Sequence, residues 1–287
     1  MTPPFGSTLS ARGFVAVLDA GFRPLRQVQG TSILSLGWQP LPNVKVSRSL
    51  RPSRLEGVYG STQVYYPRGS LTVGQYLNEG GWTELEQRTA AYNDARMQAL
   101  ARLRNAARDA GAMAVVDLQI RRGRFAPAMR AIEFTALGTA IGSDRFELEG
   151  YEEIPLTRLS GTDFWKLVVS GYWPLGAVGG TSVVYVIAGF RTKYARFRFS
   201  RRSLRNQEYE DYTQGVVQAR KRAMGRLRLE AQAVGATGIL GIELTREQRE
   251  KREDDLIVTV DALGTAIAPI EHGAPRDVYY ALGLGKR

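Results

Sequence analysis

The chain contains two copies of one sequence pattern, and this constrains its fold more than any other feature. Ala136, Leu137, Gly138, Thr139, Ala140 and Ile141 recur without change as Ala262, Leu263, Gly264, Thr265, Ala266 and Ile267. Upstream, Ala95 to Ile120 aligns with Ala219 to Leu244, sharing Ala95/Ala219, Arg96/Arg220, Ala99/Ala223, Leu103/Leu227, Ala107/Ala231 and Gly111/Gly235. Further upstream, Gly21, Pro24, Leu25, Gly30, Thr31 and Ser32 correspond to Gly171, Pro174, Leu175, Gly180, Thr181 and Ser182. The spacing between these last two blocks is about 26 residues longer in the first copy, which places an insertion within 37–82. Ser143 to Ser160 has no counterpart and is rich in acid (Asp144, Glu147, Glu149, Glu152, Glu153), the composition of a solvated linker. The boundary is accordingly set near residue 150, with 1–150 as the first domain and 151–287, including a short C-terminal tail, as the second.

Within each copy the apolar spacing predicts one long helix. Val216, Ala219, Ala223, Leu227, Ala231 and Val234 recur every three or four residues, and Ala95, Ala99, Leu103, Ala107 and Ala110 repeat that stripe. Thr83 with Glu86 reads as a capping box opening the first helix. Gly111 and Gly235 read as helix stops, since glycine takes a positive φ without a Cβ clash. Two β-prone runs follow each stop, and in the last of them Ile257, Thr259 and Asp261 alternate with Leu256, Val258 and Val260, as a strand with one face better buried does. With early strands at Phe14 to Ala20 and Thr31 to Leu36 and their partners, each copy reads β-β-α-β-β. The fold class is α+β: two tandem two-layer domains, each a small antiparallel or mixed sheet packed by one long helix. One helix covers one face and leaves edges open, so oligomerisation or pairing of the copies is expected to cover the rest. Gly138 and Gly264 each interrupt a final strand, the sign of a bulge or a close backbone approach.

Leu167 to Phe190 carries no charge, which raises the question of a membrane span. Pro174, five glycines and the match to a charged segment in the first copy favour two strands and a turn instead. Neither a basic region nor an apolar stretch of the signal-peptide kind opens the sequence, and there are no cysteines, so a cytoplasmic location is expected. The single histidine, His272, sits in a Gly- and Pro-bearing C-terminal stretch that reads as a tail.

A helix beginning near an Ala-Arg pair and ending in Gly-Ala, then an apolar strand, then a strand closing on Gly-Thr-Ala, resembles the YbjQ-like family, often labelled a heavy-metal-binding domain. The second copy resembles it over about Tyr172 to Pro269, the first with its insertion. The resemblance implies a small two-layer domain that assembles into rings, commonly pentamers, and it implies no established biochemical role. The metal in the family's label is at odds with the residues: soft and borderline metals want thiolate or imidazole, and the chain offers no Cys and one His. Asp254 and Asp255 are adjacent, so their side chains point apart on a strand, and they read as a solvated turn rather than a cation site. No metal, cofactor or small-molecule substrate is predicted.

No phosphate-binding loop, nucleophile elbow, dinucleotide fingerprint or histidine-based constellation is present, so no catalytic residue is predicted and the chain reads as a non-enzyme. The formal charge of +11 favours an acidic partner such as nucleic acid, an anionic membrane or an acidic protein. Its densest source is Arg191, Lys193, Arg196, Arg198, Arg201, Arg202 and Arg205, interleaved with Tyr194, Phe197 and Phe199, a candidate anion-binding segment. Thinner runs are Lys45, Arg48, Arg51 and Arg54, and Arg121, Arg122 and Arg124. The leading expectation is a scaffold subunit of a homo-oligomer, with polyanion binding as the alternative.

Overall fold

A computed structural model describes residues 6–36, 80–125, 131–143, 153–189, 192, 208–250 and 254–270. In chain order its elements are α1 (Ala11–Asp19), β1 (Arg23–Ser35), β2 (Gly81–Glu84), α2 (Glu86–Asp109), β3 (Ala114–Arg124) and β4 (Ala131–Gly142), then α3 (Gly161–Val169), β5 (Tyr172–Ile187), α4 (Glu210–Ala233), β6 (Gly238–Glu250) and β7 (Leu256–Pro269). Two antiparallel sheets result, ordered β1-β4-β3 and β2-β5-β7-β6. The short β2, from the first half of the chain, pairs with β5 of the second half, so the two repeats are joined within a sheet.

The class is α+β as expected, but each repeat opens on a helix: the second runs α-β-α-β-β, and the first runs α-β-β-α-β-β, its extra strand β2 being the one given to the other sheet. Phe14 to Ala20 was expected as a strand and is helix α1 with its C-cap; its counterpart in the second repeat is α3. The reason is local: Ser10 Oγ accepts from the Gly13 amide at 3.1 Å and Ser160 Oγ from the Asp163 amide at 3.2 Å, so both segments carry true N-caps. Gly13, Ala16, Val17 and Ala20 then bury one helical side. Leu167 to Phe190, described as far as Gly189, is likewise not two strands and a turn over those described residues. It holds the end of α3 and the single long strand β5, which absorbs Pro174 through a register shift between Pro174 and Gly176, as β1 does between Pro24 and Arg26.

The uncharged character of β5 follows from burial on both faces. Val184 and Val186, with Val258 and Val260 of β7, pack on the α4 stripe Ala219, Ala223, Leu227 and Ala231. Val183, Tyr185 and Ile257 face the other way and join Leu85, Tyr92 and Ala99 of the first repeat. Helix α2 thus lies between the two sheets, and the Ile257, Thr259, Asp261 face of β7 is as deeply buried as its other face. Asp255 is not in a solvated turn: it is buried, accepting from Tyr185 Oη at 2.6 Å and the Ala188 amide at 3.0 Å.

Close helix-to-sheet approach explains the shared alanines and one shared glycine. A Cβ on Gly30 would lie 2.1 Å from the Ala99 carbonyl oxygen, and one on Gly180 would lie 2.4 Å from that of Ala223. Gly138 and Gly264 of the final strands play an analogous part within the sheets, where a Cβ would meet Val115 Cγ1 at 2.6 Å and Ile239 Cγ2 at 2.7 Å. Opposite them the neighbouring strands shift register between Val116 and Gln119 and between Leu240 and Glu243, with Asp117 and Gly241 in the left-handed region. The long helices end at Asp109 and Ala233, just before Gly111 (φ +67) and Gly235 (φ +73). The capping box is absent: Thr83 belongs to β2, Leu85 is the N-cap of α2 without a side-chain hydrogen bond, and Thr89 takes the polar role described below.

Candidate assembly interface

The most elaborate polar and apolar construction among the described residues is the seam between the two repeats, and it has three parts. The first is a backbone graft. Residues 154–160, expected as part of a solvated linker, run along the open edge of β3 instead. The Val115 amide donates to the Pro155 carbonyl at 2.9 Å, Thr157 N–H to Val115 O at 2.8 Å, Leu118 N–H to Thr157 O at 3.0 Å and Asp117 N–H to Leu159 O at 2.9 Å. Val115 and Leu156 form a parallel bridge, and Leu156 enters the first repeat's core. An edge strand that would otherwise present unpaired amides is closed by the second repeat. Burial raises the Asp117 carboxyl above its usual range, an effect that the Thr8 hydroxyl partly offsets.

The second part is apolar. Helices α1 and α3 cross with their backbones touching, a Cβ on Gly161 falling 2.3 Å from the Gly13 carbonyl oxygen. Beside this crossing Phe22 of the first repeat packs edge-on against Phe164 at 5.4 Å between ring centroids and at a tilt against Trp173 at 5.9 Å, both from the second repeat. Val17, Val116 and Ile141 on one side and Val168 on the other complete the cluster.

The third part is a polar edge cap. Above the short β2, strand β5 has a free edge at Gly179, Thr181 and Val183, and side chains of α2 satisfy it. Thr89 Oγ1 accepts from the Val183 amide at 2.9 Å, and Asn93 both accepts from the Thr181 amide (3.0 Å) and donates to the Thr181 carbonyl (3.1 Å). Arg96, only 3% exposed, donates to the Gly179 carbonyl at 3.1 Å and forms a two-point pair with Glu230 of α4 at 2.7 and 3.2 Å. Glu230 in turn accepts from the Gly179 amide at 3.0 Å. A guanidinium this deeply buried is tolerable because each charge finds an opposite charge and further hydrogen bonds.

Two clusters of ion pairs also hold the repeats together. Arg122 of β3 reaches Asp261 (3.0 Å) and Glu247 (3.2 Å) in the second sheet while its guanidinium lies 5.0 Å from the Tyr92 ring centroid. Glu84 of β2 accepts from Arg226 at 2.8 and 3.1 Å, from Arg222 at 2.8 Å and from Ser182 Oγ at 2.6 Å. Burial pushes the Glu84 carboxyl up, but the Arg226 and Ser182 hydrogen bonds and the Arg226 and Arg222 charges outweigh it and hold it below its usual value. A depressed folded pKa gives stability that is present above the unfolded value of 4.5 and is lost as pH falls through the folded one. Glu84→Gln is therefore expected to cost about 2 kcal/mol at neutral pH. The gap to the parent chain should narrow as acid protonates Glu84, measured by urea unfolding over a pH series.

The residues singled out from sequence divide sharply. Arg191, Lys193, Arg196, Arg198, Arg201, Arg202 and Arg205, the run Lys45 to Arg54, His272 and nearly all of the insertion lie outside the described residues. Arg122, expected in a basic run, is committed to Asp261 and Glu247 and offers no free charge to an anion. The seam residues Glu84, Asn93, Thr157 and Glu230 carried no signal; Arg96 and Asp261 were visible only as a repeated identity and as one member of an alternating strand. Among the described residues no group of three or more His, Cys, Asp or Glu converges as a metal site would require. None of the described helices is long and apolar enough to cross a membrane.

Comparison with known proteins adds two findings. The family described as "Putative heavy-metal-binding", YbjQ-like, matches the chain twice, over residues 79–143 and 177–269. An encapsulin nanocompartment protein of Mycobacterium tuberculosis is 27% identical over 243 residues, covering 83% of this chain and 76% of that protein. The heavy metal in the family's description does not fit the residues present, for the donor set lacks thiolates altogether and holds one imidazole.

Proposed function

As the chain belongs to the YbjQ-like family through both of its repeats, we propose that it is a non-enzymatic subunit of a homo-oligomer in which the seam between its own repeats is formed again between chains. The observation that carries this reading is the fate of equivalent positions. Val168 of α3 is 7% exposed in the seam, whereas its counterpart in α1, Leu18, is 46% exposed, and Val15, the counterpart of the half-buried Trp165, is 54% exposed. At the opposite end Leu118 is 2% exposed under the graft, whereas its counterpart Ile242 in β6 is 45% exposed. Phe22 is buried between aromatic rings, and its counterpart Tyr172 is exposed.

The seam joins unlike surfaces, the β3 side of one repeat to the α3 side of the next. Among the described residues one surface of each kind is therefore left without a partner, and such heterologous contacts close into a ring or continue as a filament. A ring is the reading that the family resemblance favours, and similarity to a nanocompartment protein supports an assembly role. Light scattering on the eluting full chain tests it: the mass is expected at an integer multiple of 31.7 kDa. A single-chain mass at every concentration would refute it. The net charge of +11 favours a second reading, polyanion binding, for which the same column run with nucleic acid or anionic vesicles should show a salt-sensitive shift.

A further inference from the structure

The first repeat also begins with an arm, Gly6 to Ser10, and that arm is built like the one that grafts onto β3. In the second repeat, the Arg158 amide donates to Thr265 Oγ1 at 3.1 Å, Thr157 Oγ1 to the same oxygen at 3.3 Å, and the Leu159 amide to Thr157 Oγ1 at 3.1 Å. In the first repeat, the Thr8 amide donates to Thr139 Oγ1 at 2.9 Å, Ser7 Oγ shares a hydrogen bond with it at 3.1 Å, and the Leu9 amide donates to Ser7 Oγ at 3.1 Å. Ser10 and Ser160 then cap α1 and α3 in the same way. Both arms are held on their own repeat by one face, and in the second arm the other side is spent on β3.

For Gly6 to Leu9 no backbone hydrogen bond to a strand is formed among the described residues. The strand equivalent to β3 is β6, which among the described residues pairs with β7 alone and is exposed along most of its length, including Leu240 and Ile242. An open edge carrying the apolar residues Ile239, Leu240, Ile242 and Leu244 in its first half is a template for another strand. Its residues Ile239, Gly241 and Ile242 stand where Val115, Asp117 and Leu118 stand in β3, and Gly241 repeats the left-handed conformation of Asp117 (φ +58 and +53). The edge geometry that accepts an arm is thus present at β6.

We propose that the arm Gly6 to Ser10 of one chain is the strand that closes the β6 edge of a second copy. Transferring the seam's pattern, the Ser7 amide donates to the Ile239 carbonyl, the Ile242 amide to the Ser7 carbonyl, and the Gly241 amide to the Leu9 carbonyl. The occupant is a second copy of this chain because the chain's own continuous seam is the template for the contact among the described residues, and because the arm is already ordered on Thr139 before it docks, which lowers the entropy cost of binding. This inference rests on the assembly reading and specifies which surfaces meet.

The chain has no cysteine, so the contact can be tested by introduced pairs. Gly6 and Ile239 are the counterparts of Leu156 and Val115, which form the parallel bridge of the seam. A Cβ at Gly6 meets only the flexible end and Cβ of Gln27, at 3.2 and 3.8 Å, so Gly6→Cys is compatible with the fold. Mixing the single variants Gly6→Cys and Ile239→Cys under mild oxidation should give a covalent dimer far in excess of that from either alone, and the double variant should give a ladder. A chain that remains multimeric by light scattering yet yields no Gly6→Cys to Ile239→Cys bond would overturn this proposal and leave the assembly reading standing. A monomeric chain would overturn both.

Discussion

Gly30→Ala will destabilise the chain by about 3 kcal/mol, the upper end of what overpacking a core typically costs. The added Cβ would sit 2.1 Å from the Ala99 carbonyl oxygen, 2.5 Å from the Leu103 amide nitrogen and 3.0 Å from Leu103 Cβ. Two of these atoms are helix backbone, so no side-chain rotation relieves the clash, and α2 must lift from the sheet. Lifting it opens the packing of Ala95, Ala99, Leu103 and Ala107, which are buried to within a few per cent, and adds a cavity cost to the steric one. Gly180→Ala should behave alike, because its Cβ would lie 2.4 Å from the Ala223 carbonyl oxygen and 2.5 Å from Arg226 Cβ. Gly176→Ala is the control, having nothing within 4 Å of the new atom. Thermal unfolding followed by circular dichroism should show the midpoint falling by roughly 10 °C for the first two and little for the third.

Arg96→Ala should be the most damaging change in the seam, at about 3 kcal/mol. It removes both donors to Glu230 and the donor to the Gly179 carbonyl, and leaves the carboxylate facing a partly buried site with the Gly179 amide as its partner. Much of that cost is the stranded charge rather than the lost attraction. Arg96→Met combined with Glu230→Gln, which removes both charges and keeps the volume, should therefore be closer to the parent than Arg96→Ala alone. A double-mutant cycle by urea unfolding measures the coupling, and additive effects of the two sites would show that the pair does not act as a unit.

How much of this could be read in advance depended on where each signal resided. Helices α2 and α4 were legible because their alanine stripes and terminal glycines are local patterns and occur twice. Helices α1 and α3 were misread as strands because Phe14 to Ala20 is apolar and partly β-branched, and the caps Ser10 and Ser160 lie outside that window. Strand β5 looked anomalous because half of its burial comes from the first repeat, which no local pattern records. The Arg96 to Glu230 pair was hidden for a further reason. The two residues are 134 positions apart, and although Arg96 has a repeated counterpart in Arg220, the residue matching Glu230 in the first copy is Ala106. The repeat alignment therefore marked the arginine as shared and gave no hint of its partner. The acidic composition of the stretch before α3 gave no sign that its described residues, from Glu153 onward, bind the first repeat.

The duplication also accounts for two of the places at which apolar side chains are exposed among the described residues. One end carries Val15 and Leu18 beside an ordered arm, and the other carries Leu240 and Ile242 on a bare strand edge. In the proposed assembly these are the two halves of a contact that the molecule already makes once within itself. Blocking one half on each of two proteins tests the idea most directly. A chain bearing Val15→Glu and Leu18→Glu and a chain bearing Leu240→Lys and Ile242→Lys, all at exposed positions, should each elute as a single-chain species with parental circular dichroism. Mixed in equal amounts, they should form a complex of two chains and no larger, because one unblocked end of each kind remains. Persistence of the parental oligomer in either blocked chain, or failure of two monomeric blocked chains to combine, would contradict the account.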